Sequence, residues 1–341
     1  MPDGARSASA PVTTGAVRVA TVSLNPAIDQ TASVPNFTAG AVNRVEREQS
    51  DAGGKGVNVA SFLAHTGHAV AVTGLLGSDN ATLFERLFDE NRIVDRFVRL
   101  RGSTRVNVKI VDTANDRVTD INFPGLRPAP ADLAALTAAV DALAETAEWF
   151  VLTGSVPADV PSNFYATLIA RLKARGRSVL LDTSGPPFAA AVGTAPDAIK
   201  PNIDELQELI GRKLSDDDAI VEAARSLLAR GIRTVAVSMG PRGALFVEDG
   251  AAVLAVPPKI AVKSTVGAGD AMVAGLIAGK LQGLDLGECA RLGTVYSLGA
   301  LGQIGPRLPA PEILRTYAPE VTLRHLDHAH QWVGERSSPA R

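Results

Sequence analysis

Apolar runs rich in β-branched residues alternate along the chain with segments whose apolar positions recur at helical spacing. Val17–Leu24 (VRVATVSL) stops at Asn25-Pro26 and reads as a buried strand followed by a loop. Ala69–Leu76, Trp149–Leu152, Val179–Asp182, Thr234–Ser238 and Gly243–Val247 read as further strands. The intervening spacing predicts helices over Gly56–Thr66, Leu83–Glu90, Ala131–Glu148, Phe164–Arg175, Ile203–Ile210, Ala219–Arg230, Ala271–Leu281 and Gly287–Gly302. Strands alternating with helices imply an α/β fold with a mostly parallel sheet covered by helices on both faces. Two polar-alternating segments, 30–50 and 95–124, break the rhythm. In the second, RVNVKIVD and RVTDINF flank the turn sequence TAND, which is hairpin chemistry. They predict a small antiparallel sheet projecting from the main domain. The expected division is a tail over 1–16, an α/β domain from 17–29, 51–94 and 125–330, the small sheet from 30–50 and 95–124, and a tail over 331–341.

Composition narrows the function classes. With 46% apolar residues in 341, the chain can bury a large core, and 34 basic against 36 acidic residues with no long basic block give no footprint for a nucleic-acid partner. No apolar run reaches 18 residues and the N-terminus lacks an apolar signal core, so the expectation is a soluble cytoplasmic protein with no membrane partner. The single Cys289 cannot form an intramolecular disulfide and reads as a buried structural thiol. His325, His328 and His330 read as solvated rather than as a metal cluster.

Open α/β sheets bind ligands at the carboxyl ends of their strands. Polar clusters fall there at Asn25–Asp29, Asp182–Ser184 and Ser238–Gly240, which favours an enzyme. Three glycine-rich stretches compete as ligand loops. Gly53-Gly54-Lys55-Gly56 lacks the Ser or Thr that a Walker loop places after its lysine, so it is either a plain helix-start turn or a close approach of backbone to ligand. Ser264–Gly275 (STVGAGDAMVAG) has Met272 where a dinucleotide fingerprint needs its third glycine. Its remaining reading is a turn whose amides point at an anion ahead of a helix, with Asp270 either a first-turn acid or a reactive group. Ser238–Gly243 says only that a tight turn follows a strand. Arg99, Arg101, Arg105 and Lys109 are either a solvated strand face or the lining of an anion pocket.

Ala52–Ala60 (AGGKGVNVA) and Ser264–Gly275, with GAGD intact at Gly267–Asp270, resemble the two signatures of the ribokinase-like (phosphofructokinase B type) carbohydrate kinases. Lys200–Glu205 (KPNIDE) resembles the N-x-x-E element of that family, and the likeness spans about Val17 to Ile304. Leu24–Asp29 (LNPAID) resembles the opening of its branch acting on fructose 1-phosphate and tagatose 6-phosphate, and Thr104–Lys109 (TRVNVK) and Thr119–Phe123 (TDINF) are most similar to the members acting on fructose 1-phosphate. The resemblance implies a three-layer α/β/α domain with the small sheet as a lid. It also implies ATP-dependent phosphorylation of fructose 1-phosphate to fructose 1,6-bisphosphate. Tagatose 6-phosphate or fructose 6-phosphate are alternative acceptors, and a silent sugar-phosphate sensor is an alternative of another class. Asp270 is then the general base, with Gly267, Ala268 and Gly269 as an anion hole. Asp29 would hold sugar hydroxyls, while Gly54, Lys55, Asn58, Arg105 and Lys109 would grip the acceptor and its phosphate. Asn202, Ser238, Gly240, Gly243, Thr265, Gly267 and Gly269 would line ATP. Mg²⁺ would enter with the nucleotide, touched by Glu205 through water. The lid sheets imply a homodimer.

Overall fold

The computed structural model describes residues 16–326. In chain order the strands are β1 Val19–Ser23, β2 Ala27–Ser33, β3 Arg47–Gly53, β4 Val70–Gly77, β5 Val94–Asp95, β6 Val98–Leu100, β7 Val106–Asp112 and β8 Arg117–Ile121. The second half adds β9 Trp149–Thr153, β10 Ser178–Asp182, β11 Ala198–Ile199, β12 Thr234–Ser238, β13 Ala244–Glu248, β14 Ala251–Val256 and β15 Thr322–His325. The large sheet runs β15-β14-β13-β12-β11-β10-β9-β1-β4-β5, with β6 also on β4. Its ladders are parallel from β12 through to β5, and antiparallel from β12 out to β15.

Both faces are covered, which is why the strands read as continuous apolar runs rather than alternating ones. Along β10, Leu180 joins one core layer while Val179 and Leu181 join the other. The first layer packs helices Lys55–His65, Ala268–Gln282 and Leu286–Leu301 through Phe62, Ile277 and Val295. The second packs Pro130–Leu143, Phe164–Ala174 and Asp217–Leu228 through Leu136, Leu168 and Ile220. Helix Ala268–Gln282 is buried on all sides from Asp270 to Gly279. A Cβ on its Gly275 would sit 2.6 Å from the Leu292 carbonyl oxygen and 2.7 Å from Gly293 Cα, so two helix backbones touch there. Cys289 is buried against Gly279, and burial pushes its thiol up to about 11, in keeping with an inert structural residue.

The small sheet is separate, in the order β3-β2-β7-β8. Its outer ladders are antiparallel, whereas β2 and β7 pair in parallel, Ile28 with Val106 through Ser33 with Val111. The sheet therefore joins a hairpin from each insertion through one parallel ladder between them. Residues 95–100 depart from the expected division: Asp95 and Val98–Leu100 pair with β4 in the large sheet. Arg99 there is ion-paired to Asp95 and to Glu85 at 3.3 Å. Helix Pro130–Leu143 stops short of its expected end, and β2, β11, β14, β15 and helices Gly185–Val192 and Pro311–Tyr317 were not legible as elements. His325 lies exposed on β15, whereas His328, His330 and most of both expected tails lie outside the described residues. No described helix is long and apolar enough to cross a membrane.

Candidate active site

The carboxyl ends of β1, β9, β10 and β12 point to one side of the large sheet, and two helix N-termini meet them. The first belongs to Lys55–His65. Its N-cap Gly54 has φ 103°, a conformation only glycine adopts without strain. A Cβ on Gly54 would lie 2.8 Å from Pro26 Cα, and one on Gly56 would lie 2.9 Å from Ser23 Cβ. These glycines are thus required by the packing of the turn on the end of β1, and the helix that starts there carries Lys55 to Asp182 and Asn58 to Asp270. The second N-terminus is that of Ala268–Gln282, with Gly267 as N-cap at φ 77° and Asp270 in the first turn.

Between them lies a buried cluster of charge. Asn58 Nδ2 donates to Asp270 Oδ2 at 2.8 Å, both residues being 6% exposed. Asn58 Oδ1 is buried and has no partner among the described residues. Asp182, at the end of β10, is held by Lys55 Nζ at 3.1 Å and Lys200 Nζ at 3.2 Å, and accepts from Thr153 Oγ1 at 3.1 Å. Burial opposes ionisation of Asp182, but the Lys200 and Lys55 ammoniums outweigh it and hold the carboxyl below its usual range. Lys55 is raised in turn, chiefly by Asp182, with Asp270 and Glu205 adding to the effect. Asp270 shifts the other way. Burial is the largest cause and Asp182 adds to it, while Lys55, Asn58 and Lys200 oppose, and the carboxyl is pushed up to about 6. A Cβ built on Gly269 would lie 3.7 Å from Lys200 Nζ, so this ammonium sits directly beneath the glycine turn.

On one side of that turn opens a cleft of about 570 Å³. Ser238, Gly240, Gly243, Thr265, Ala268 and Gly269 all line it, with Pro257, Ile260, Val262 and Leu301 as apolar walls. An apolar slot ending at a helix N-terminus suits a flat base with phosphates attached. Gly243, at φ 96°, is also fixed by the fold, since a Cβ would lie 2.1 Å from the Ala255 carbonyl oxygen. Asn202 and Glu205 form a reciprocal capping box on helix Ile203–Ile210, each side chain accepting the other's backbone N–H at 2.8 Å.

On the other side stands the small sheet. Asp29 sits within β2 rather than in a loop, and accepts from Asn107 Nδ2 at 3.2 Å. Burial raises its pKa, while Asn107, Arg105 and Lys109 work against the rise. Arg105 is engaged with backbone, donating to the carbonyls of Asn25 at 3.0 Å, Phe123 at 3.1 Å and Pro26 at 3.3 Å. Lys109 is ion-paired to Asp120 on the neighbouring strand. Both cations thus hold protein partners in this structure.

Asp182 falls in a strand-end polar cluster and Lys200 opens the KPNIDE element, but the sequence assigns neither side chain a role in the site. Each is a charge at the end of an apolar strand, in VLLD and in AIK. Among the described residues no group of three or more His, Cys, Asp or Glu could hold a metal ion.

Comparison with known proteins identifies the family. The pfkB family carbohydrate kinase model matches residues 19–313. The chain is 56% identical over 311 residues to a 1-phosphofructokinase from Rhodobacter capsulatus, covering 91% of this chain and 98% of the relative. It is 45% identical over 308 residues to a 1-phosphofructokinase from Xanthomonas campestris pv. campestris, covering 89% and 97%. Phosphofructokinase-2 from Escherichia coli superposes with a TM-score of 0.84 at 27% identity, over 89% of this chain and 98% of that one. From the match of that model and of these relatives across nine-tenths of its length, the chain belongs to the pfkB family of carbohydrate kinases.

Proposed function

We propose that the protein transfers the γ-phosphoryl group of ATP to fructose 1-phosphate, giving fructose 1,6-bisphosphate and ADP. The observation that carries this reading is the Asp270 carboxylate. It is buried beside a glycine turn at a helix N-terminus, fixed by Asn58, and raised to about 6. That value leaves it mostly ionised at neutral pH yet basic enough to take a proton, which is the compromise a general base needs. Its identity to relatives named 1-phosphofructokinase supports the choice of acceptor.

In this reading the acceptor hydroxyl gives its proton to Asp270 as its oxygen attacks the γ-phosphorus. The first-turn amides at Gly267, Ala268 and Gly269 face the transferring group, whose charge spreads over three oxygens. Lys200, beneath the turn, and Lys55 place two fixed positive charges near it. Asp29 accepts from sugar hydroxyls, Gly54 and Asn58 bound the acceptor from below, and Arg105 and Lys109 lie over the phosphate it carries. The small sheet acts as the lid that keeps water from competing. Asn202, Ser238, Gly240, Gly243 and Thr265 border the nucleotide.

Mg²⁺ fits as an ion brought by ATP rather than as a resident one. One Glu205 oxygen is taken by the capping box, which leaves a single carboxylate oxygen to meet a hydrated ion. When bound, it neutralises phosphate charge during transfer. The free outer edge of β8 carries exposed Val118 and Ile121, with Phe123 exposed just beyond, which supports a homodimer formed through the lid. The lone buried cysteine and the lack of a membrane-crossing helix among the described residues suit a cytoplasmic enzyme.

The test is ADP formation measured in a coupled assay with fructose 1-phosphate, fructose 6-phosphate, tagatose 6-phosphate and unphosphorylated fructose. Fructose 1-phosphate is expected to give the highest kcat/KM. A higher value for the unphosphorylated sugar would overturn the assignment and the role of the lid cations.

A further inference from the structure

Arg307 lies in the loop between helices Leu286–Leu301 and Pro311–Tyr317, outside both glycine signatures. Its guanidinium pairs with Asp51 on β3, across 256 residues of sequence. The same side chain folds back on its own loop, with Nη1 donating to the Ile304 carbonyl at 3.0 Å and the backbone N–H of Arg307 donating to Gly305 at 2.9 Å. A Cβ at Gly305, where φ is 76°, would lie 2.8 Å from Nη1 and 3.1 Å from Asp51 Oδ2, so the ion pair packs directly over this glycine.

The two ends of this clasp touch the two halves of the site. Asp51 stands opposite Asp29 in the β2–β3 ladder, and its second oxygen accepts from Gln49 Nε2 at 2.7 Å. A Cβ on Gly53, two residues on, would lie 2.2 Å from Asp29 Oδ2, so this strand is pressed against the Asp29 carboxylate. At the other end, a Cβ placed on Gly267 would lie 3.2 Å from Pro306 Cβ and 3.3 Å from Pro306 Cα. The loop that Arg307 ties down is therefore seated on the N-cap of the helix that carries Asp270. One ion pair and one short loop join the sheet holding the acceptor to the turn facing the phosphoryl group.

We infer that Arg307 is a positioning residue that, through Asp51, couples occupation of the acceptor side to the geometry of the Gly267 turn. The inference rests on the functional reading above. Binding an acceptor to Asp29 orders β2 and β3, and the Arg307–Asp51 pair passes that order to the loop packed on Gly267. ATP then meets a preset turn. Asp51 adds to the rise of the Asp29 pKa, and the pair sets the Arg307 guanidinium beside that negative charge.

The coupling is read directly as the affinity for AMP-PNP with Mg²⁺, titrated calorimetrically with and without saturating acceptor. The acceptor used is whichever of the screened sugars the wild-type enzyme turns over fastest, so an error in the assigned acceptor leaves this test intact. The wild-type enzyme is expected to bind the analogue about fivefold or more tightly with acceptor present, as for a typical coupled pair of sites. In Arg307→Met, in Asp51→Asn and in the double variant that ratio is expected to fall towards one. The double variant should be no worse than either single one, and Arg307→Lys should keep part of the ratio. Melting temperatures are taken on the same samples. A wild-type ratio retained in both single variants would overturn the inference, whatever their stability. So would a lowered melting temperature with the ratio unchanged, because that marks a purely structural pair.

Discussion

Replacing Asp270 with Asn removes a carboxylate that the fold holds at a cost. In the folded chain this group keeps its proton up to about pH 6, whereas its ordinary value is 3.8. Folding therefore takes up a proton between those values. The ionised group lowers stability above about pH 6, and that cost fades to nothing below about pH 4. The two-unit rise corresponds to roughly 3 kcal/mol. Asn at the same place can still accept from Asn58 Nδ2, so the hydrogen bond at 2.8 Å has a counterpart. Asp270→Asn is thus expected to be more stable than the wild-type protein by up to about 3 kcal/mol at pH 8. For a chain of this length that is a rise of roughly 4 °C in Tm. The gain should shrink as pH falls and be absent at pH 4. Turnover should fall by about 10²–10⁴-fold at the same time. Differential scanning calorimetry from pH 4 to 8, paired with the coupled assay, reads both. An unchanged or lower Tm at pH 8, or a gain that does not depend on pH, would refute the claim that burial strains this carboxylate.

Other expectations concern the surroundings of that group. Asn58→Ala removes a hydrogen bond that favours the charged form, and should move the acid limb of the kcat–pH profile upward by about one unit; an unmoved limb would separate Asn58 from the base. Lys200→Met leaves Asp182 fully buried with Lys55 as its only cationic partner, and should cost about 3–5 kcal/mol in a denaturant titration at pH 7. The same variant removes one of the charges that lower the Asp270 pKa, so its acid limb should also rise. Gly275→Ala forces two helix backbones apart, and about 1–3 kcal/mol should be lost in the same titration.

The large sheet was legible because its strands are buried on both faces. Runs such as VRVATVSL and SVLL admit few other readings, and the helical spacing between them is regular. Strand β2 was not legible, because AIDQTAS is half-buried and earns its pairing from β7, which is distant in sequence. The same distance hides the chemistry. Asn58 and Asp270 meet across 212 residues, and Lys55 and Asp182 across 127. The signatures mark the turns on which these side chains sit, but not the hydrogen bonds between them. The Asn58 Nδ2 bond to Asp270 is one of these, and no spacing in the signature announces it. The sequence leaves Gly54 and Gly56 open between a helix-start turn and a close approach to ligand, and the structure adds that Pro26 and Ser23 crowd them.

The parallel ladder between β2 and β7 also constrains the order of assembly. Asp29 and Asn107, 78 residues apart, lie side by side only when that ladder is in register. The chain between them includes β4 and helix Lys55–His65, both anchored in the large core. Closing so long a loop while it is still unstructured is entropically costly, and the cost falls once the intervening chain has folded. The small sheet is therefore expected to close after the part of the large core that lies between β2 and β7 has folded. During synthesis, no pairing of β2 with β7 can begin until the ribosome has released more than a quarter of the polypeptide.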